Sequence, residues 1–179
     1  MQKKVLYEKN IYHDFFPLKL SKLNVEKLRY NCLLNLWGNF RQSQDTKSKF
    51  YNYFNLTDDK NVSWLTDYIM DIMKAKHNIN LFKPKHHCLI QEVNESINFQ
   101  SDLDHYDLHN SPTLSGLYTL TPVNDTNLIL RYAGKNNLRE DYFIPLEENK
   151  IILFNSEYDF AIEKNKESQP IINICFNFA

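Results

Sequence analysis

Apolar residues recur at helical spacing twice in the first half of the chain. Val25, Leu28, Cys32, Leu36 and Phe40 form one stripe, widened by Leu33 and Trp37, with Asn24 placed to cap it. Leu65, Tyr68, Ile69, Ile72 and Met73 form the other, within a helix expected over about 62–77 and capped by Asn61 or Ser63. Between them, 41–60 is polar and without clear period, so it reads as a connection. From residue 86 onward the period changes. Short β-prone runs at 87–93, 114–121, 127–132, 141–144, 150–154, 158–163 and 171–178 alternate with turn clusters such as Thr121-Pro-Val-Asn-Asp-Thr126 and Ala133-Gly-Lys-Asn-Asn137. Seven or eight strands at this spacing predict a jelly roll or double-stranded β-helix, and the helices are expected to back one of its sheets. The expected class is therefore α+β. One domain is expected over 1–179, with a helical N-terminal half (1–85) and a β-barrel half (86–179).

Composition narrows the functional classes. Twenty-one Lys and Arg balance 22 Asp and Glu for a net charge of −1, which argues against a general nucleic-acid or membrane-surface binder. No apolar run reaches the ~18 residues of a membrane span, and the polar start MQKKVLYEKN has no signal-peptide core. Cys32, Cys88 and Cys175 lack CxxC spacing and read as reduced, buried thiols of a cytosolic protein. Three scattered glycines exclude phosphate-cradling loops, and the absence of a G-x-S-x-G elbow removes the common serine hydrolase pattern.

The densest set of potential ligands is Asp102-Leu-Asp-His-Tyr-Asp-Leu-His109. His105, Asp107 and His109 alternate, so on a strand they would share one face. A His-x-Asp pair supplies two of the three ligands of a non-haem iron site. His105 and His109 would stand ~13 Å apart on an extended strand, so the candidate pairs are His105/Asp107 or Asp107/His109. A solvated, polar strand end is the alternative. His86 and His87 would face opposite sides of a strand, which favours a structural role over a metal cluster.

The stretch from Asp107 to Leu120 contains Leu114-Ser-Gly-Leu-Tyr118 and resembles the 2-oxoglutarate/Fe(II) oxygenase-like proteins of marine tailed phages and bacteria. Their pattern there is approximately H-x-H-x-N-S-x-L-S-G-V-Y-Y-L. It is followed by an apolar strand ending F-P-S-x-L-x-H-x-V, and by R-x-S-x-S-F-N near the C-terminus. Residues 151–162 and 172–177 occupy the corresponding places, so the resemblance spans roughly 86–179. It implies a double-stranded β-helix and, if the protein is active, an Fe(II)/2-oxoglutarate-dependent dioxygenase. Metal ligands would come from His105, Asp107 and His109. Tyr118 and Arg131 are the candidates for holding the cosubstrate, with a strand-end ion pair the alternative for Arg131.

The resemblance also exposes two departures. The distal metal His of the family falls on Phe160, and no His follows His109. The Arg that holds the far carboxylate of 2-oxoglutarate falls on or near Ile171, and no Arg follows Arg139. Phe offers no lone pair, and Ile cannot form the charge-assisted pair. The expectation is a protein that keeps the barrel without ordinary catalysis: a pseudoenzyme serving as a phage structural or interaction protein, in the host cytoplasm or the virion and not secreted. Its partners would be proteins, other virion components or further copies of itself, with no nucleic acid and no membrane. The alternatives are an active hydroxylase with a non-standard metal site, and a jelly-roll binding module whose resemblance is architectural only.

Overall fold

The computed structural model describes residues 1–6, 9–17, 24–42, 53–55, 59–82, 84–103, 107, 111–134 and 138–179. Two antiparallel sheets face each other. The larger has strand order β1-β2-β9-β6-β11-β4-β3, with β1 Gln2–Leu6, β2 Lys9–Phe15, β3 Tyr53–Asn55, β4 Lys85–Gln91, β6 Leu114–Thr119, β9 Lys150–Asn155 and β11 Ile171–Phe178. The smaller has order β5-β10-β7-β8, with β5 Ile97–Gln100, β7 Asn127–Ala133, β8 Arg139–Pro145 and β10 Asp159–Ile162. Helices α1 (Val25–Gln42) and α2 (Lys60–His77) pack on the outer face of the larger sheet.

Both helices form where the apolar period placed them. Leu28 and Cys32 of α1 and Val62, Leu65, Ile69 and Met73 of α2 are buried. The side chains of Leu36, Trp37 and Phe40 lie outside the described residues. Asn24 caps α1 as expected, its side chain accepting from the Lys27 N–H at 2.9 Å. The cap of α2 is Asp59 rather than Asn61 or Ser63. Its carboxylate accepts from the Asn61 N–H at 2.8 Å, and this is the stronger choice because an anion also meets the positive end of the helix.

All seven expected strands are present, with ends shifted by up to two residues. Four further strands were not expected. β1, β2 and β3 come from the half read as helical, and β5 comes from a polar stretch. β1 and β3 are edge strands, and of the four β5 side chains two are exposed and two half-buried. The alternating apolar signal is weak in such positions.

Strand alternation divides the core into two layers. Cys88, Ile90, Tyr118, Leu120, Ile151, Leu153, Ile172, Ile174, Phe176 and Phe178 face the helices. Leu89, Leu117, Ile152, Phe154, Ile171 and Cys175 face the smaller sheet, where Leu128, Leu130, Ile144, Phe160 and Ile162 meet them. Gly116 permits the close approach of β6 to β9. A Cβ there would stand 2.7 Å from the Ile152 carbonyl oxygen, well inside van der Waals contact. Cys32, Cys88 and Cys175 are free and buried. No helix among the described residues is long and apolar enough to cross a membrane.

Candidate functional site

The space between the sheets has a polar end and an apolar floor. β11 carries Cys175 and Asn177 on its inward face, β6 carries Ser115 and Leu117, and β4 carries His87 and Leu89; all are set by the two-residue period of their strands. β5 ends at Gln100, and two residues later Asp102 turns into this end. Ser115 and Asn177 hydrogen-bond to its carboxyl group. Ser156 in turn lies 2.8 Å from the Ser115 hydroxyl.

Burial raises the pKa of Asp102, and the hydrogen bonds from Ser115 and Asn177 oppose that rise only in part. Burial and the neighbouring Asp102 charge push the Cys175 thiol well up. Burial, reinforced by the charge of His86, lowers the imidazole of His87 to about 4. His87 is therefore a neutral imidazole at physiological pH. His86 and His87 project from opposite faces of β4, as expected from their adjacency.

Phe160 points into the same interior. It pairs with Gln100 on one side and Leu130 on the other, is 3% exposed, and sets its ring 5.6 Å from that of Phe154. Ile171 is fully buried in the same cluster. The two positions that the resemblance marks as altered thus both contribute apolar bulk to the interior.

The remaining candidates are spread apart. His105 and His109 lie outside the described residues. Asp107 is exposed, and its backbone carbonyl accepts from the Ser111 hydroxyl at 3.1 Å. Tyr118 sits on the helix side of the larger sheet and donates its hydroxyl to Asn149 at 2.9 Å, so the sheet itself separates it from the interior. Arg131 projects from the outer face of β7, because Leu128 and Leu130 take the inner one. Its guanidinium meets both carboxylate oxygens of Asp141, at 2.7 and 2.8 Å, and lies 3.7 Å over the Phe99 ring. The Asp141 bond raises the Arg131 pKa and holds Asp141 low. The structure therefore brings neither Tyr118 nor Arg131 to a ligand held between the sheets. Asp102, the inward carboxyl, precedes the His-x-Asp spacing and so carries no ligand-like pattern of its own. Its alternation with Gln100 was the available signal.

An iron centre of the facial type needs two imidazoles and a carboxylate converging on one point. Around Phe160 the described residues offer Gln100, Leu130 and Phe154, and no described cluster of three His, Cys, Asp or Glu side chains could hold a metal ion. Position 171, which the resemblance pairs with the cosubstrate-binding Arg, is a buried Ile. Neither Fe(II) nor 2-oxoglutarate fits the described residues.

No protein-family model matches the sequence, and no curated protein matches it. Solved structures do match the fold. A prolyl-4-hydroxylase of Pseudomonas putida superimposes with a TM-score of 0.64 at 11% identity, over 94% of this chain and 87% of that one. SnoK, a non-haem α-ketoglutarate-dependent carbocyclase of nogalamycin biosynthesis, gives 0.67 at 12% identity, over 94% and 78%. An oxidoreductase of the 2OG-Fe(II) oxygenase family from Burkholderia pseudomallei gives 0.57 at 7% identity, over 94% and 84%. With its two facing antiparallel sheets and helices backing the larger, the chain has the double-stranded β-helix fold of the 2-oxoglutarate/Fe(II) oxygenases.

Proposed function

We propose that this protein keeps the oxygenase barrel as a scaffold, does not catalyse oxidation, and acts as a structural or interaction protein of a phage. The observation that carries this reading is the apolar closure of the interior by Phe160 and Ile171, packed with Phe154, Leu117 and Leu130. Catalysis in this class needs open metal positions beside a cation-anchored cosubstrate. Here the first is a phenyl ring and the second an aliphatic side chain, while the Arg131 guanidinium is committed to Asp141 outside the barrel. The phage assignment rests on the sequence resemblance around Leu114-Ser-Gly116. Exposed aromatic side chains, Tyr30, Trp64, Phe82 and Phe143 among them, suit a protein that works through contacts.

One observation favours the second reading, an active dioxygenase with a non-standard site. Asp102 still offers an inward carboxyl at the end of β5, with Ser115 and Asn177 holding it. The deciding measurement is succinate formation from 2-oxoglutarate under aerobic Fe(II) conditions, with iron content after dialysis. We expect no succinate above a protein-free control and no retained iron. Stoichiometric iron, with succinate production abolished by Asp102→Ala or Asp107→Ala, would overturn the scaffold reading.

A further inference from the structure

Buried polar side chains between the sheets are for the most part paired: Ser115 with Ser156, and Thr119 with Asn173. At the end where β4 leads into β5 and β10 into β11, two amide atoms are not. The Oε1 of Gln91 and the Nδ2 of Asn173 are buried and make no hydrogen bond to the protein. Both residues are 0% exposed. The first atom is an acceptor and the second a donor.

The rest of each amide is committed, which fixes the atom left over. Gln91 donates through Nε2 to the carbonyls of Glu95 at 2.8 Å and Glu163 at 2.6 Å. Turning this amide over would set its oxygen against two other oxygens. Asn173 accepts through Oδ1 from the Thr119 hydroxyl at 2.9 Å. Thr119 stands on β6, one flank of β11, and Gln91 on β4, the other flank.

Strand register brings the two amides together. Asn173 pairs with Leu89, and Ile171 with Gln91, so Asn173 and Gln91 are diagonal neighbours across β11 and β4. Leu89, Ile171 and Cys175 face the smaller sheet, and the two-residue period puts Gln91 and Asn173 on the same face. Diagonal neighbours stand ~7–8 Å apart, a span that two amide side chains and one bridging molecule cover.

We propose that a single water molecule is bound between the sheets by Gln91 and Asn173, accepting from Nδ2 and donating to Oε1. A buried donor and a buried acceptor each cost stability when unpaired, and one water relieves both because it gives and takes at once. The site calls for a neutral occupant, since it offers one donor and one acceptor. Lys150, on the same face of β9, has its ammonium spent on the Pro145 carbonyl at 2.9 Å and the Glu147 carboxylate at 2.6 Å. Both amides are closed off from solvent, so the water is a resident part of the fold and not surface hydration. This inference goes beyond the proposed function and holds whether or not the barrel catalyses.

The test is a high-resolution crystal structure of the full chain, joined to magnetic relaxation dispersion of the solvent to count long-lived internal waters. We expect density for one water about 2.7–3.2 Å from both Gln91 Oε1 and Asn173 Nδ2. Thr119→Val combined with Asn173→Leu removes the donor without stranding the Thr119 hydroxyl, and should lower the count of long-lived waters by one. Circular dichroism confirms that this variant folds, and if it does not, the density in the natural protein decides alone. Absence of density between the two amides overturns the proposal, as does a direct hydrogen bond from Asn173 to Gln91 or a larger molecule in the water's place. So does an unchanged count of long-lived waters in the folded double variant.

Discussion

The two ends of the barrel interior are built from the same strands yet behave as different materials. At the floor, Phe160, Phe154, Leu117, Leu130 and Ile171 pack against one another with almost no exposure. At the rim, one or two pleats along β4, β6 and β11, the inward positions become His87, Ser115 and Asn177, with Asp102 reaching in from the end of β5. Strand geometry cannot cause the difference, since inward positions recur every second residue throughout. Pairing does. At the rim Ser115 meets Ser156, and Ser115 and Asn177 meet Asp102, although both serines are buried. The inward polar residues elsewhere, Thr119 and Asn173, are buried as well and hydrogen-bond to each other at 2.9 Å. The floor therefore contributes stability through packing and dispersion, while the rim holds groups whose protonation the environment has moved.

Removing bulk from the floor should have the largest effect. Phe160→Ala leaves a cavity between Phe154 and Leu130 and should cost about 3–5 kcal/mol of unfolding free energy, read from urea denaturation. A loss below about 1 kcal/mol would mean that the floor is loosely packed and that the comparison fails.

Acid should act on the rim next. The imidazole of His87 is lowered from an ordinary value of 6.5 to about 4, so its contribution is fully present above the unfolded value. It is lost as pH falls from 6.5 toward 4, by up to about 3 kcal/mol. In His87→Leu this part of the acid limb should flatten, as measured by denaturation at a series of pH values.

Asp102 should show the opposite slope. Its pKa is raised in the folded protein, so its favourable contribution is complete below the unfolded carboxyl value and is lost as pH rises through the folded one. Asp102→Asn keeps an acceptor for Ser115 and removes that loss. We expect it to be more stable than the natural protein at pH 7, by less than the His87 effect at pH 4. A destabilised Asp102→Asn would show that the ionised carboxylate itself holds the rim together.

The smallest effect belongs to a residue outside the interior altogether. Arg131→Ala breaks an ion pair on the outer sheet face and should leave the thermal midpoint nearly unchanged. It should leave the pH dependence set by His87 and Asp102 unaltered. A changed acid limb would place Arg131 in electrical contact with the rim.

The helices and most of the seven expected strands were legible because each buries a continuous face; β8, in which Ile144 alone is buried, was marked instead by the turn clusters on either side of it. Leu28 with Cys32, and Leu65 with Ile69 and Met73, repeat at the helical period, and 171–178 reads as a strand because all but one of its side chains is buried. β5 was not legible, since Ile97-Asn-Phe-Gln100 pairs only with β10 and exposes much of its surface. The ligand-like spacing falls on 105–109, of which Asp107 alone is among the described residues, whereas Asp102 has no such spacing. The candidate site was therefore legible as a neighbourhood but not residue by residue.

By itself, the sequence determined the division into helices and barrel strands, the apolar character of positions 160 and 171, and the near-zero net charge. These follow from side-chain chemistry and periodicity, which are local. Only the tertiary structure decided which side of a sheet each candidate occupies: Tyr118 toward the helices, Arg131 outward to Asp141, and Phe160 and Asp102 inward. A strand with apolar residues on both faces has no preferred inside until its neighbours are in place. Pairing with β10 and β8 for Arg131, and with β9 and β11 for Tyr118, makes that choice.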